Sequence, residues 1–126
     1  RENFDYLYKA FKQFEEFFIL PKWLPQAEPS WFGFLLTVND RAPFTREEII
    51  NFLQEKKIGT RYLFAGNITK QPYFVDKKIN FRTVGELKNT DIAMNNTFWL
   101  GVYPGLSPEM LKYVIRSFED FLEKYE

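Results

Sequence analysis

The segment from Lys57 to Pro72 combines basic residues, a glycine-containing turn and several hydrogen-bond donors, which makes it the first candidate for a binding site. Arg61 lies in a short predicted strand, and the Gly66-Asn67 pair that follows tolerates a left-handed backbone and the close approach of a ligand. The hydrogen-bond donors that come next are Thr69, Lys70 and Gln71. Such a loop could hold a hydroxyl-rich or phosphorylated ligand, although the composition also fits a plain polar loop after a strand.

The aromatic segment from Phe98 to Gly105 is a second candidate, as a stacking platform for bases or sugars. At strand spacing, the same rings also fit core positions followed by a turn. Adjacent carboxylates occur at Glu15-Glu16 and Glu47-Glu48, but sequence neighbours do not face each other on a helix. These carboxylates therefore predict solvated surface and helix caps rather than a pair for acid–base catalysis.

The composition excludes several classes of site. The chain has no His and no Cys, so it cannot form a Ser-His-Asp or Cys-His system, a zinc site with His or thiolate ligands, the usual haem or iron–sulfur ligation, or a disulfide. Its 17 basic and 17 acidic residues cancel, which disfavours binding to nucleic acid or membrane surfaces through bulk charge. No apolar run approaches the ~18 residues of a membrane span, and no signal peptide is recognisable. We therefore expect a cytoplasmic protein with no nucleic-acid partner and no membrane contact.

Hydrophobic periodicity predicts three main helices. Apolar residues three and four positions apart form one stripe over residues 3–18, made of Phe4, Leu7, Phe11, Phe14 and Phe18. The segment Thr45–Glu48 fits a capping box at the start of a helix over residues 46–56, and Gly59 marks its exit. The pair Ser107-Pro108 begins the last helix, which has one apolar face.

Three apolar segments predict strands, at residues 31–38, 60–64 and 98–103. The first is almost continuously apolar, which favours a strand covered on both faces. Residues 65–89 lack periodicity, and a short helix capped by Asn89 or Thr90 is expected to follow, ending near Asn96. Strands with helices between them predict an α+β domain with a small sheet covered by helices.

Aromatic residues make up 20% of the chain, which is more ring surface than a small core easily hides, and the sequence begins with Arg1 rather than Met. We therefore expect a piece of a longer protein. Residues 1–20 are predicted to form an N-terminal linker helix, and residues 21–126 a small α+β domain.

Three blocks of the sequence resemble a known family. They are Pro29-Ser30-Trp31-Phe32-Gly33-Phe34, the stretch from Ile58 to Pro72, and the stretch from Asn95 to Leu106. Together they resemble the C-terminal part of the DegT/StrS-type sugar aminotransferase family, and within it the RfbH-type dehydratase branch, the CDP-4-keto-6-deoxyglucose 3-dehydrases. The most specific part is Gly59-Thr60-Arg61 followed by Leu63-Phe64-Ala65-Gly66-Asn67.

The resemblance implies an enzyme larger than this chain. In the aspartate-aminotransferase (type I) fold of this family, a large domain binds pyridoxal or pyridoxamine phosphate (PLP or PMP). A small C-terminal α+β domain, with a mainly antiparallel sheet covered by helices, closes over it, usually in a homodimer. The dehydratase branch uses pyridoxamine phosphate and a [2Fe-2S] cluster, with electrons from a reductase partner, to remove the C3 hydroxyl of a CDP-linked 4-keto-6-deoxyhexose. The products supply 3,6-dideoxysugars for the lipopolysaccharide O-antigen.

This chain departs from the dehydratase pattern in one respect. The branch has a histidine where aminotransferases have the cofactor lysine, and it has cysteines for the cluster, whereas this chain has neither residue type. The resemblance therefore implies that cofactor and cluster are bound upstream of Arg1, in a large domain absent from this chain. We expect the chain to be inactive alone, with no catalytic, cofactor-binding or metal-binding residue of its own.

The resemblance also implies which residues face the substrate. We expect the sugar-nucleotide side of the cleft to be lined by Arg61, Phe64, Gly66, Asn67 and Thr69. Arg61 would act as a charge-assisted donor, and Asn67 as a partner for a hydroxyl or carbonyl group.

Three alternatives stay open at the level of sequence. The first is the small domain of a PLP-dependent sugar aminotransferase. The second is a stand-alone protein-interaction module that docks through the aromatic first helix, with Phe11 and Phe17 as contacts. The third, single-stranded nucleic-acid binding by Trp99 and Tyr103, is least favoured by the charge balance.

Overall fold

The computed structural model describes residues 1–125 and shows a small α+β fold, as predicted. The helices are α1 (Glu2–Phe11), α2 (Arg46–Glu55), α3 (Pro72–Asp76), α4 (Lys88–Asn96) and α5 (Pro108–Leu122). The strands are β1 (Phe18–Ile19), β2 (Gly33–Val38), β3 (Thr60–Tyr62) and β4 (Thr97–Gly101). Short 3₁₀ segments span Lys12–Phe14, Ile68–Lys70 and Glu123–Tyr125.

The four strands form one antiparallel sheet in the order β1-β2-β4-β3. Trp99 of β4 lies opposite Leu35 of β2 on one side and opposite Arg61 of β3 on the other. Because directly opposite residues of neighbouring strands point to the same side, these three residues lie on the same face of the sheet. The interleaved residues Phe98 and Leu100 point to the other face and are buried.

Helices α1, α2 and α5 pack together around that buried face. Phe11 of α1 is 0% exposed, and its ring centroid lies 5.0 Å from that of Phe34 on β2 and 4.7 Å from that of Phe118 on α5. The first helix therefore shares one core with the sheet and with α5. A further role of residues 1–20 as a linker to an upstream domain stays a prediction.

The structure corrects three predictions about the strands and the first helix. The strand β2 alternates between buried and half-buried residues, so the prediction that it is covered on both faces is wrong, because α1, α2 and α5 lie on one face only. The predicted helix over residues 3–18 is also too long: α1 ends at Phe11, and a 3₁₀ turn ends at Phe14. Phe18, placed in the helical stripe, instead begins β1, an edge strand that the sequence did not predict.

The helix starts differ in how well their caps were predicted. The capping box of α2 is confirmed: the Thr45 N–H donates to Oε2 of Glu48 over 2.6 Å, and the Glu48 N–H donates to Oγ1 of Thr45 over 3.3 Å. Ser107 caps α5 as predicted, accepting from the N–H of Met110. The caps predicted for α4 are wrong, because that helix follows the left-handed Leu87 and no side chain caps it.

The exit of α2 also differs from the prediction. The left-handed residue there is Lys57, with φ 61°, rather than Gly59. Each of the three predicted strands begins or ends one or two residues away from its predicted bounds.

Candidate functional site

One face of the sheet carries an exposed aromatic cluster beside Arg61. Trp99 lies on this face, and the rings of Phe32 and Phe64 pack against it, with centroid distances of 4.9 Å and 6.2 Å. Phe32 and Phe64 are 71% and 70% exposed, so their outer surfaces face solvent. We call Phe32, Arg61, Phe64 and Trp99 the open face. Exposed rings of this kind can pack on the apolar faces of sugars and bases.

Arg61 presents a charge that the described chain does not neutralise. Its strand β3 pairs only with β4, so the residue lies at an edge of the sheet. Its guanidinium Nη1 donates to the carbonyl of its own neighbour Thr60 over 2.8 Å, and among residues 1–125 no carboxylate lies within ion-pair distance of it. The remaining guanidinium donors are thus available to an anionic or hydroxyl-rich ligand.

The loop after β3 turns sharply through two left-handed residues. Ala65 and Gly66 have φ of 55° and 57°, and a Cβ added at Gly66 would overlap the side chain of Met94. The Gly66 N–H donates to the Phe64 carbonyl over 2.6 Å, and the Gln71 side chain donates to the Ala65 carbonyl. The turn therefore needs glycine at position 66 and directs the chain toward α4.

Asn67 is the most buried residue of this loop, at 2% exposure. Its Nδ2 donates to Oδ1 of Asp91 over 2.8 Å, and its Oδ1 accepts from the N–H and the Oγ1 of Thr69 over 3.1 Å and 2.7 Å. Lys70 Nζ lies 2.8 Å from the other Asp91 oxygen, Oδ2. The pKa of Asp91 is held below its ordinary value, first by the hydrogen bond from Lys70 and then by that from Asn67.

The structure therefore divides the five expected substrate-binding residues into two groups. Arg61 and Phe64 lie on the open face with Trp99. Gly66, Asn67 and Thr69 form the internal structure of the loop, and the Asn67 amide is already engaged within the protein. We expect these three residues to contribute to binding through the shape of the loop.

The two rings of β4 in the aromatic platform proposed from residues 98–105 point to opposite faces of the sheet. Phe98 is buried in the core, and Trp99 alone of the strand's two rings lies on the open face. Phe32 and Asp91 were not identified from the sequence. Alternation along β2 would have placed Phe32 on the buried face with Phe34 and Leu36, so it gave no signal for this residue, and nothing in the sequence links Asp91 to a loop 24 residues away.

A groove of about 870 Å³ continues from the open face along the edge of the sheet toward α5. It is lined, among others, by Lys57, Arg61, Trp99, Tyr103, Met110 and Tyr113. This volume lies in the range of small-molecule sites, and the lining combines apolar and aromatic surface with basic groups and one carboxylate, that of Glu109.

The described residues do not fit a pyridoxal-type cofactor or a metal centre of their own. None of the lysines among residues 1–125 is buried; Lys57 lines the groove but is itself exposed, so none is desolvated as a Schiff-base lysine usually is. Within the same residues, no three His, Cys, Asp or Glu side chains are grouped as metal ligands, and the chain has no thiolate for a cluster. Nor does any helix in residues 1–125 have the length and apolar character to span a bilayer.

Comparison with characterised proteins gives relatives for most of the chain. The chain is 50% identical over 121 residues to the lipopolysaccharide biosynthesis protein RfbH of Salmonella typhimurium. The matched region covers 96% of this chain and 27% of RfbH. The chain is also 45% identical over 106 residues to the dTDP-4-dehydro-2,6-dideoxy-D-glucose 3-dehydratase of Saccharopolyspora spinosa, covering 84% of this chain and 22% of that enzyme. The chain thus spans about a quarter of the length of these relatives.

Solved structures show the same fold at low sequence identity. The Escherichia coli GDP-4-keto-6-deoxy-D-mannose-3-dehydratase with bound hydrated PLP superposes with a TM-score of 0.80 at 20% identity, over 93% of this chain and 29% of that one. An aminotransferase from Psychrobacter cryohalolentis superposes with a TM-score of 0.81 at 14% identity, over 98% and 33%. The predicted fold class, a small domain of the PLP-dependent aminotransferase fold, is confirmed.

The family profile agrees with both comparisons. The profile of the DegT/DnrJ/EryC1/StrS aminotransferase family matches residues 1–119, which is nearly the whole chain. The chain belongs to the DegT/DnrJ/EryC1/StrS aminotransferase family.

Proposed function

We propose that this chain is the C-terminal domain of a PMP-dependent dehydratase that removes the C3 hydroxyl of a nucleotide-linked 4-keto-6-deoxyhexose. The product would supply 3,6-dideoxysugars for the lipopolysaccharide O-antigen. The 50% identity to RfbH supports this proposal, as do two further relatives that are 3-dehydratases of dTDP- and GDP-linked deoxysugars.

The geometry that best supports a binding role is the guanidinium of Arg61, which forms no ion pair within residues 1–125, beside exposed rings. In this proposal Arg61 donates charge-assisted hydrogen bonds to the diphosphate or the sugar of a CDP-hexulose. Phe32, Phe64 and Trp99 pack against the apolar face of a ring of the substrate. The domain thus binds and orients the substrate, and it helps to exclude water when it closes over the cofactor.

The catalytic chemistry would come from outside this chain. A PMP or PLP cofactor supplies an electron sink for bond cleavage next to a carbonyl. The chain has no buried lysine among residues 1–125 to fit such a cofactor, and a [2Fe-2S] cluster would need cysteines that the sequence lacks. We propose that the enzyme's own large domain binds both groups, in a cytoplasmic homodimer that receives electrons from a reductase.

An aminotransferase is the second candidate, because the family profile and the Psychrobacter structure carry that name. The residue at the cofactor position distinguishes the two: a dehydratase has histidine there, and an aminotransferase has lysine. Mass spectrometry of the product provides the functional distinction. Loss of the C3 hydroxyl supports the dehydratase, whereas gain of an amino group with the C3 hydroxyl retained identifies an aminotransferase.

The stand-alone docking module loses its structural basis. Phe11, one of its two proposed contacts, is fully buried in the core, and Phe17 is half-buried. The aromatic stripe of α1 stabilises the fold and is not a free docking surface.

The binding role is tested by Arg61→Ala in the enzyme that carries this chain. Loss of a charge-assisted hydrogen bond costs about 1.5–3 kcal/mol, so we expect the KM for the nucleotide sugar to rise roughly 10- to 150-fold. Arg116→Ala is the matched control, because Arg116 is an exposed arginine on α5, in the helical layer. Unchanged stability together with unchanged turnover at low substrate concentration in Arg61→Ala would contradict the proposal.

A further inference from the structure

The turn that follows Phe64 has a backbone conformation that its residues do not favour on their own. Ala65 is left-handed although it has a Cβ, and Gly66 continues the same turn. A non-glycine residue in this conformation is strained and persists only where surrounding contacts hold it. The turn therefore depends on contacts that lie outside the two left-handed residues.

The Gln71 side chain donates to the Ala65 carbonyl, and two further contacts of the loop converge on one carboxylate. Asp91 accepts from Asn67 Nδ2 through Oδ1 and from Lys70 Nζ through Oδ2, both at 2.8 Å. It thereby ties two points of the loop, three residues apart, to α4. The Asn67 N–H also approaches Sδ of Met94, one turn further along the same helix, over 3.3 Å.

The helix that carries Asp91 is itself fixed to the sheet and to α2. Arg46, at the start of α2, donates through Nη1 to the carbonyl oxygens of Met94 and Thr97 over 2.6 Å and 3.3 Å. Asn96 donates to the Val38 carbonyl at the end of β2 over 3.3 Å. Helix α4 is therefore held by α2 and the sheet, and it holds the loop in turn.

We infer that Asp91 is a positioning residue for the open face, since it holds the 65–70 loop in the turn that places Phe64 against Phe32 and Trp99 beside Arg61. This inference rests on the proposed function. Asp91 does not itself touch the substrate. It acts by keeping Phe64 where its ring and the Arg61 guanidinium can engage the same ligand.

The first test is hydrogen exchange in the enzyme that carries this chain. In Asp91→Ala, we expect the amides of residues 65–71 to exchange about ten-fold faster or more, while peptides that contain Phe98 or Leu122 keep their protection. Asp91→Asn keeps an acceptor for Asn67 but loses the charge that holds Lys70, so its effect should be intermediate. Glu86→Ala is the matched control, because Glu86 pairs with Lys88 at 2.7 Å on an exposed surface, and it should change neither region.

The second test is kinetic and separates positioning from stability. Asp91→Ala should raise the KM for the CDP-linked 4-keto-6-deoxyhexose about ten-fold, with kcat within about two-fold of the unmodified enzyme. Asp91→Asn should recover part of the loss.

Three results would overturn the positioning role. Equal loss of protection in the loop and in the core would mean that Asp91 contributes to global stability only. Unchanged exchange in the loop would mean that Asp91 does not hold it. A loosened loop with an unchanged KM would mean that its conformation does not matter for binding. If Arg61→Ala still raises the KM in that last case, the proposed function stands; if it does not, the assignment of substrate to this face fails as well.

Discussion

The indole ring of Trp99 lies against the backbone of Gly33 on the neighbouring strand, in the space that a side chain at position 33 would occupy. A Cβ built at Gly33 overlaps ring atoms of Trp99 and comes within 3.0 Å of the Leu100 carbonyl oxygen. The position of the ring on the open face thus depends on the absence of a side chain at position 33 of the neighbouring strand.

Gly33→Ala should therefore displace Trp99 and destabilise the fold. We expect a loss of about 1–3 kcal/mol, typical of overpacking, with a change in tryptophan fluorescence. Urea unfolding measures the first effect. Gly101→Ala is the control: Gly101 lies opposite Gly33 in the same sheet, and no atom lies within 4 Å of a Cβ added there. Equal losses in both variants would refute the role of the Trp99 contact.

Phe11→Ala tests whether the first helix is an integral part of the core. Phe11 is fully buried against Phe14, Phe34 and Phe118, so truncation should cost about 3–5 kcal/mol. Tyr6→Ala on the exposed side of the same helix should change stability by about 0.5 kcal/mol or less. A small effect of Phe11→Ala in chemical unfolding would show that α1 behaves as a detachable linker.

Glu48→Gln should reduce the sensitivity of the fold to acid. The pKa of Glu48 is lowered from its ordinary value of 4.5, first by the backbone N–H of Thr45 and then by the Thr45 hydroxyl. Because the folded-state pKa lies below the unfolded one, this stabilisation is present above the unfolded value and is lost as the pH falls through the folded value.

The measurement is the thermal midpoint of unfolding from about pH 6 to about pH 3. Over this range, the midpoint of the unmodified protein should fall further than that of Glu48→Gln. Glu55→Gln, at the other end of α2, provides a matched charge change without the cap. The same pH response in Glu48→Gln and in the unmodified protein would exclude the capping box as a source of acid sensitivity.

Arg46→Lys should weaken the attachment of α4 to α2. The Arg46 guanidinium lies 4.3 Å above the Tyr62 ring. It also donates to the carbonyl oxygens of Met94 in α4 and of Thr97, the first residue of β4, and an ammonium group cannot reproduce this geometry. We expect a loss of about 1–3 kcal/mol in urea unfolding. The exposed Arg41 provides the control substitution Arg41→Lys, and equal stability of the two variants would contradict the argument.

Features that arise from neighbouring residues could be predicted from the sequence alone. The capping box at Thr45 and the cap at Ser107 need only residues within one helical turn, so their chemistry is visible in the sequence. The same holds for Arg61, which was assigned to a short strand, and for Gly66, whose type permits the left-handed turn.

Features that join distant segments of the chain became visible only in the folded structure. The stripe residues from Phe4 to Phe18 have helical spacing and are all buried, so the sequence predicted one helix for them. Only the pairing of Phe18 with Val38 shows that Phe18 begins a strand. Likewise, Asn67 fitted a ligand-binding role until Asp91, 24 residues away, was found to hold its amide. Sequence spacing encodes contacts within a helix or a turn, whereas the partner of a buried polar group is determined by how the chain packs.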